Sequence, residues 1–310
     1  MGKATREAYG NALAKIGKEN SNIIVLDADL SKSTKTDTFK KECPERFFNV
    51  GIAEQNLISV GAGLAAAGKI PFVSSFAMFA TGRAFEQIRN AVCYPKLNVK
   101  VCATHAGITV GEDGATHQSL EDIACMRVLP NMTVIVPADE KETEAVITWA
   151  ANYNGPVYVR LGRAGVDDVT ADDYTFVPGK SNQLKDGSDV TIIACGALVG
   201  LAVEASKQLE AEGISARVIN MASIKPIDSE AIIKAAKETG AIVTAEEHNV
   251  LGGLGSAVSE VVVANKPVPM EFVGVQDTFG ESGTPKELMA KYGLTAEDIV
   301  KAVKKVVTRK

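Results

Sequence analysis

The sequence predicts an α/β protein of two domains, each built on a mostly parallel sheet flanked by helices. Short apolar runs alternate along the chain with segments whose apolar residues recur at helical spacing, a pattern typical of βα units. One polar, charged stretch with a Pro-Gly pair, residues 167–188, interrupts this alternation. A length of 310 residues also favours two domains. We therefore expect a first domain at 1–166, a linker at 167–188 and a second domain at 189–310.

The elements of the first domain follow from its periodicity. Residues 4–19 have helical spacing, and an Ala/Gly-rich helix is expected at 57–67. A further helix should end near Cys93, Ser119 and Asp122 indicate a helix start, and Asp139 with Glu142 has the pattern of a capping box. The predicted strands are 22–26, 47–50, 70–74, 98–103, 132–136 and 156–161.

The second domain repeats this pattern with fewer strands, and its last elements are helices. Thr284 and Pro285 indicate a capped helix start, and an amphipathic helix is expected at 296–307. A Gly-Gly-Leu-Gly segment at 252–255 resembles a dinucleotide-binding loop only weakly, because the third glycine of that motif is missing. The predicted strands are 189–194, 215–220, 241–246 and 268–273.

Composition narrows the class of protein. The chain is 46% hydrophobic and 23% charged, which is ordinary for a soluble globular protein, and a net charge of −5 argues against a nucleic-acid surface. Five cysteines lie far apart without a C-x-x-C motif, which favours a reducing, cytoplasmic setting. The N-terminus does not have the apolar core of a signal peptide, and the longest apolar stretch, 57–68, is too short to span a membrane.

The most informative stretch is 104–122, which reads T-H-A-G-I-T-V-G-E-D-G-A-T-H-Q-S-L-E-D. It follows an apolar strand, so it is a loop at the carboxyl end of that strand, where open α/β sheets bind ligands. His105 and His117, with Glu112 and Asp113 between them, indicate polar recognition and proton chemistry. A solvent-facing acidic loop is the alternative. A metal site is not expected, because the histidines are twelve residues apart and no cysteine lies at ligand spacing.

Other loops that follow strands carry further candidates, which can converge on one edge of the sheet. Glu54 opens a helix, where it could simply complement the helix dipole. Phe76 and Phe79 could be ordinary core residues, and Arg163 could be a surface cation. From these residues alone both interpretations stay open.

Taken together, these segments resemble the transketolases. The G-I-A-E-Q-N segment, the F-x-x-F pair, T-H-x-G-x-x-x-G-E-D-G-x-T-H-Q and L-x-R after strand 156–161 occur in the family's order. The resemblance covers essentially the whole chain, but only the C-terminal half to two-thirds of a full-length transketolase. It implies a pyrimidine-binding domain followed by the family's C-terminal domain.

The resemblance also implies a role for each matching residue. Glu54 would hydrogen-bond the aminopyrimidine ring of thiamine diphosphate, and with His117 it is the expected catalytic residue. The residues implied to bind the cofactor are Glu54, Phe76, Phe79 and Asp29. Those implied to bind sugar hydroxyls are Asp113 and His117, and those implied to grip the substrate phosphate are Arg6, Ser33, His105 and Arg163. Gly82 departs from the family, since many relatives have a tyrosine there.

In the family, a G-D-G motif and a later asparagine hold the diphosphate and its metal, and no G-D-G occurs here. The resemblance therefore implies one subunit of a split transketolase. A separate N-terminal subunit would hold Mg²⁺ or Ca²⁺, and the two chains would form a heterotetramer acting on sugar phosphates. The alternatives are a deoxyxylulose-phosphate synthase-like subunit, a 2-oxo acid dehydrogenase β-like subunit, or a non-catalytic partner subunit.

Overall fold

A computed structural model describes residues 2–310 and confirms the predicted fold class of two α/β domains with mostly parallel sheets. Numbered in chain order, the strands are β1 (Ile23–Asp27), β2 (Phe47–Asn49), β3 (Ile70–Ser74), β4 (Lys100–Ala103), β5 (Thr133–Ile135), β6 (Val157–Arg160), β7 (Asn182–Lys185), β8 (Val190–Ala194), β9 (Ala216–Asn220), β10 (Ser223–Lys225), β11 (Ile242–Asn249) and β12 (Met270–Val275).

The helices lie between these strands. They are α1 (Thr5–Glu19), α2 (Ser31–Thr34), α3 (Asp37–Glu42), α4 (Glu54–Ala66), α5 (Phe85–Gln87), α6 (Asp122–Arg127), α7 (Glu140–Asn152), α8 (Leu198–Ala211), α9 (Ser229–Thr239), α10 (Leu254–Asn265), α11 (Pro285–Lys291) and α12 (Ala296–Val307). Within residues 2–310, none of them combines the length and apolar character needed to cross a membrane.

The first sheet has the strand order β10-β5-β6-β4-β3-β1-β2, and only β10 runs antiparallel to its neighbour. The second sheet has the order β12-β11-β8-β9-β7, with β7 antiparallel. Central strands such as β1 and β8 are buried along their whole length, because helices cover both faces of a parallel sheet. This burial explains why the sequence shows them as continuous apolar runs.

Two edge strands were not predicted. β7 lies inside the stretch expected to be a linker, and β10 lies in the predicted second domain but pairs with β5 of the first sheet. Their sequences, N-Q-L-K and S-I-K, have no apolar run. Their pairing partners decide that they are strands, so periodicity could not reveal them.

One predicted helix cap is wrong. Helix α6 begins at Asp122, but it has no side-chain cap, and the Ser119 hydroxyl is buried without a hydrogen-bond partner. The Asp122 carboxylate instead accepts hydrogen bonds from the Tyr158 hydroxyl at 2.5 Å and from Arg160 Nε at 2.8 Å. Burial next to a buried arginine decides the role of this carboxylate, so the cap pattern did not apply.

Side chains do cap two other predicted helix starts, at α11 and α7. Thr284 caps α11 in a complete capping box, as expected. At α7 the Asp139 carboxylate accepts from the Glu142 amide, but the Glu142 carboxylate accepts from the Ala138 amide, so the reciprocal half of the box is missing.

The helix expected to end near Cys93 is irregular. Two π-helical segments, Met78–Arg83 and Ile88–Cys93, flank the short α5. Wide turns of this kind occur frequently at functional sites, because they redirect side chains.

Candidate active site

The candidate residues lie at one edge of the first sheet. Strands β1, β2, β3, β4 and β6 are mutually parallel, so the loops that follow them all leave from the same edge. Those loops carry, in chain order, Asp29 after β1, Glu54 after β2, Phe76 and Phe79 after β3, residues 104–122 after β4, which we call the site loop, and Arg163 after β6. Arg6 joins them from the first turn of α1.

His105 is buried and lies between a hydroxyl and a guanidinium. Its Nδ1 is 2.8 Å from Thr104 Oγ1, and its Nε2 is 3.1 Å from Arg6 Nη1. A guanidinium is always protonated and can only donate, so Nε2 accepts and the proton of the neutral ring is on Nδ1. Burial, with the charges of Arg6 and Arg163, lowers the pKa of His105 to about 3. The ring is therefore neutral at physiological pH.

Two phenylalanines and two histidines form an aromatic cluster. The Phe76 ring stacks on His105 with centroids 3.8 Å apart, and Phe79 lies 6.1 Å from Phe76. His117 meets the edges of Phe76 and Phe79 at 6.3 and 5.2 Å. The F-x-x-F pair therefore faces the histidines of the site loop, and the aromatic cluster offers a flat, apolar wall with ring nitrogens at its margin.

Glu54 is the first residue of α4 and is only 1% exposed. Its Oε2 accepts a hydrogen bond from Arg83 Nη1 at 2.7 Å. The Arg83 guanidinium also lies 4.9 Å from the centre of the Phe79 ring, so it links the carboxylate to the aromatic cluster. The Glu54 carboxylate therefore lies in the first turn of a helix and also pairs with a guanidinium.

Arg83 was not predicted as a site residue. The available signal was its position four residues after Phe79, on the same segment. Gly82 precedes it in the π-helical turn, where an added Cβ would come 2.7 Å from the flexible end of Met78. Position 82 has no side chain, and the guanidinium of the next residue, Arg83, packs against the aromatic cluster.

Arg163, in the loop after β6, contacts the site loop. Its Nη1 donates to the carbonyl of Val110, lies 3.2 Å from Glu112 Oε2 and lies 3.7 Å from Asp113 Oδ2. Arg6 Nη1 donates to the carbonyl of Ser33 at 3.0 Å. Two cations thus flank His105, and Ser33 contributes its backbone carbonyl to this contact.

Asp29 takes a positive φ of 65° directly after β1. Its Oδ1 accepts from Asn49 Nδ2 at 2.8 Å, and its amide donates to Asn49 Oδ1 at 3.1 Å. Asn49, at the end of β2, was not predicted as a site residue. The reciprocal pair holds the Asp29 loop at the edge where the other candidates lie.

Comparisons with known proteins confirm the resemblance. Residues 1–167 match the family model of the transketolase pyrimidine binding domain, and residues 179–299 match that of the transketolase C-terminal domain. The chain therefore belongs to the transketolase family.

Its relatives include half-length chains. A putative transketolase C-terminal section from Methanocaldococcus jannaschii is 53% identical over 97% of this chain and 95% of its own length. A solved split gene transketolase, described as an inactive beta4 tetramer, is 61% identical, covers 100% of both chains and has a TM-score of 0.94. Transketolase from Rattus norvegicus is 40% identical over 99% of this chain, which spans 49% of that protein.

Two further relatives have other names. A 6-deoxy-6-sulfo-D-fructose transketolase subunit from a Clostridium strain is 43% identical over 98% of this chain and 95% of its own length. A 1-deoxy-D-xylulose-5-phosphate synthase from Pelotomaculum thermopropionicum is 39% identical over 96% of this chain and 47% of its own length.

Proposed function

We propose that this chain is the pyrimidine-binding subunit of a split transketolase, which transfers a two-carbon ketol unit from a ketose phosphate to an aldose phosphate. The observation that carries the proposal is the aromatic cluster between the pair of buried Glu54 and half-exposed Arg83 and the two cations Arg6 and Arg163. One side suits a flat heterocycle, and the other suits an anionic substrate. Sugar phosphates have such an anionic end.

The residues present fit the aminopyrimidine ring of thiamine diphosphate. A buried carboxylate beside two phenyl rings matches a flat ring with apolar faces and a nitrogen edge. Glu54, Phe76, Phe79 and Asp29 would hold that ring. When bound, the cofactor supplies the electron sink that cleavage of a carbon–carbon bond next to a carbonyl needs. Glu54 would share a proton with a ring nitrogen, which a low dielectric favours.

The substrate would occupy the opposite side of the aromatic cluster. His117 Nδ1 is 2.9 Å from Thr116 Oγ1, so its Nε2 would face the sugar hydroxyls together with Asp113. Arg163 and Arg6 would bind the phosphate as charged, forked donors. Because His105 Nε2 already accepts from Arg6, its main contribution would be to orient that guanidinium.

A partner subunit would complete the site. One close relative is described as a C-terminal section and another as a split gene transketolase in an inactive beta4 state. These descriptions support a separate chain that holds the diphosphate and Mg²⁺ or Ca²⁺. We expect two copies of each chain in the active heterotetramer.

A second candidate function is synthesis of a deoxyketose phosphate from pyruvate, because a deoxyxylulose-phosphate synthase is among the relatives. The test is to combine the chain with its partner and offer two donors in parallel, a ketose phosphate and pyruvate, with an aldose phosphate acceptor. Transfer from the ketose phosphate without release of CO₂ from pyruvate is the expected result. If pyruvate is consumed as a donor and the ketose phosphate is not, the second candidate function replaces the proposal.

A further inference from the structure

The second domain contacts the site loop from two sides, although the candidate site residues all lie in the first domain. We propose that Glu247, on β11 of the second domain, is a positioning residue that holds loop 107–114 and thereby sets the place of Asp113. The inference rests on the proposed function, because Asp113 is assigned there to a sugar hydroxyl.

The first contact is a buried hydrogen bond from the site loop to Glu247 of the second domain. Glu247 is 4% exposed, and its Oε1 accepts from the amide of Thr109 at 2.7 Å. Thr109 lies in the first of two short 3₁₀ turns within Ile108–Asp113, which meet at a kink at Gly111, and the second turn ends at Asp113. A hydrogen bond to a carboxylate is stronger than one between neutral groups, so this bond fixes the start of the turn.

The backbone of the loop is shaped to admit this carboxylate. Gly107 has a φ of +87°, and a Cβ there would lie 2.3 Å from Glu247 Oε1. Only glycine allows both that conformation and that approach. The loop and the carboxylate therefore fit each other closely, and a small shift of either would be felt by the other.

A second segment of the same domain, residues 280–285, closes the other side. Gln118 Nε2 donates to the carbonyls of Ile108, Gly111 and Glu281 at 3.2, 3.2 and 2.9 Å. A Cβ on Gly114 would lie 2.6 Å from Ser282 Oγ. The loop is thus held between β11 and residues 280–285, and both holding segments belong to the second domain.

Neighbouring side chains on β11 separate this role from a purely structural one. Successive side chains of a strand point to opposite faces. Glu246 is equally buried, but its carboxylate accepts from the amides of Leu254 and Gly255 at 2.7 and 2.8 Å, inside its own domain. Glu246 is therefore a matched control for the loss of a buried carboxylate.

The test uses the enzyme reconstituted with its partner and compares variants by kcat and KM. Glu247→Gln keeps an oxygen in reach of Thr109 and should stay near the parent. Glu247→Asp keeps the charge but withdraws it, and Glu247→Ala removes it. Both should lower kcat/KM by roughly 10–100-fold, since a misplacement of about 1 Å can cost about 10²-fold. Glu246→Ala should lower the melting temperature but leave kcat/KM within about threefold of the parent, because the hydrogen bonds of its carboxylate go to α10 and not to the site loop.

A double mutant shows whether Glu247 acts through Asp113. In the Asp113→Ala background, Glu247→Ala should cost less than about threefold in kcat/KM, because residues that act together are not additive. Additive losses, or equal losses in Glu246→Ala and Glu247→Ala, would overturn the proposal.

Amide hydrogen exchange of the isolated chain gives a readout that does not depend on activity. If the parent with its partner shows no ketol transfer, the proposed function fails, while exchange still judges the positioning role. Glu247→Ala should speed exchange in peptides spanning 107–114 by about tenfold or more, and Glu246→Ala should not, because local opening follows local contacts. Unchanged protection in Glu247→Ala would refute the role of Glu247.

Discussion

His105 shows how neighbouring groups determine the function of one side chain. The sequence predicted a phosphate-binding histidine, and a charged imidazolium would have served that purpose. Burial and two nearby guanidinium groups keep the ring neutral instead, with Nε2 accepting from Arg6. The stacked Phe76 ring adds to that burial. The two arginines that would bind a phosphate therefore also disfavour the positively charged form of His105.

The low pKa of His105 predicts a pH-dependent stability. Folding lowers this pKa from 6.5 to about 3, so between these values the unfolded chain binds a proton that the folded chain does not. The contribution of neutral His105 to the free energy of unfolding is present above pH 6.5 and is lost as the pH falls toward 3. This amounts to about 2 kcal/mol between roughly pH 7 and pH 5. The measurement is urea unfolding at both pH values. The free energy of unfolding of His105→Gln should fall less than that of the parent by this amount, and an equal fall would contradict the low pKa of His105.

Glu54 is predicted to act on the cofactor. Glu54→Gln should keep the fold, since the amide oxygen can still accept from Arg83. It should lower kcat by about 10²–10⁴-fold, the usual loss for a positioned proton donor or acceptor. The measurement is kcat of the reconstituted enzyme, with the exposed Glu19→Gln as a control that stays at the parent value. Near-normal kcat in Glu54→Gln would make Glu54 a structural residue.

Arg163 tests the phosphate assignment. Hydrogen bonds of charged groups contribute roughly 1.5–3 kcal/mol, so Arg163→Ala should weaken phosphorylated substrates by roughly ten- to a hundredfold. The effect should appear in KM, because the phosphate is remote from the breaking bond. Acceptors without phosphate should be used almost equally by variant and parent.

The contacts of Arg163 define the contrary outcome. Arg163 also donates to the carbonyl of Val110 and lies near Asp113. If Arg163→Ala lowers kcat/KM for both kinds of acceptor by the same factor, the arginine serves to hold the loop. Asp113→Ala is the comparison, and it should penalise both acceptors.

At the scale of elements, competing partners decide what a terminal residue does. Asp122 begins α6, but it pairs with Arg160 of β6 and Tyr158. The glycine-rich segment before α10 shows the same principle, because the Glu246 carboxylate occupies the amides where a phosphate would have to bind. A helix does begin at each of these segments. At α6 the Asp122 carboxylate pairs with Arg160 and no side chain caps the helix, whereas at α10 the Glu246 carboxylate takes the place of an anionic ligand.

The start of α6 can be tested by two substitutions. A serine cap is worth about 1 kcal/mol, but the Ser119 hydroxyl is unpaired, so Ser119→Ala should change stability by less than about 0.5 kcal/mol. Asp122→Ala leaves Arg160 buried without its ion-pair partner and should cost about 3–5 kcal/mol. Urea unfolding of the isolated chain measures both, and a larger loss in Ser119→Ala would restore the cap interpretation.

At the scale of the whole molecule, the two domains of the chain contact each other next to the candidate site. β10 of the second half joins the first sheet, and His248 of β11 accepts from the amide of Ala124 at 3.4 Å. The neighbouring residue Glu247 accepts a hydrogen bond from Thr109 of the site loop. The second domain therefore supports the candidate site as well as completing the fold.

The split-enzyme proposal predicts the behaviour of the isolated chain. Alone, it should bind thiamine diphosphate weakly and show no ketol transfer, and addition of the partner should restore both. Native mass spectrometry should then show a two-plus-two tetramer. Glu54→Gln is the control that should assemble with the partner without gaining activity. Robust turnover by the isolated chain would contradict the proposal.

The sequence by itself determined the fold class, most of the central strands and the family. It also predicted the bounds of β3 and α12 as the structure has them, since long apolar runs and periodic helices encode their own burial. The site loop could be predicted because its histidines, acids and glycines lie within one short segment. The roles of the individual site residues stay predictions.

Only the tertiary structure decided which groups meet. Arg83 lies 29 residues from Glu54, and Glu247 lies 138 residues from Thr109, so neither pair is visible in local periodicity. The order of strands in the sheets brings these residues together, and the sequence pattern does not encode that order. The neutral state of His105 has the same origin, because burial and distant charges set a pKa that the residue type alone cannot.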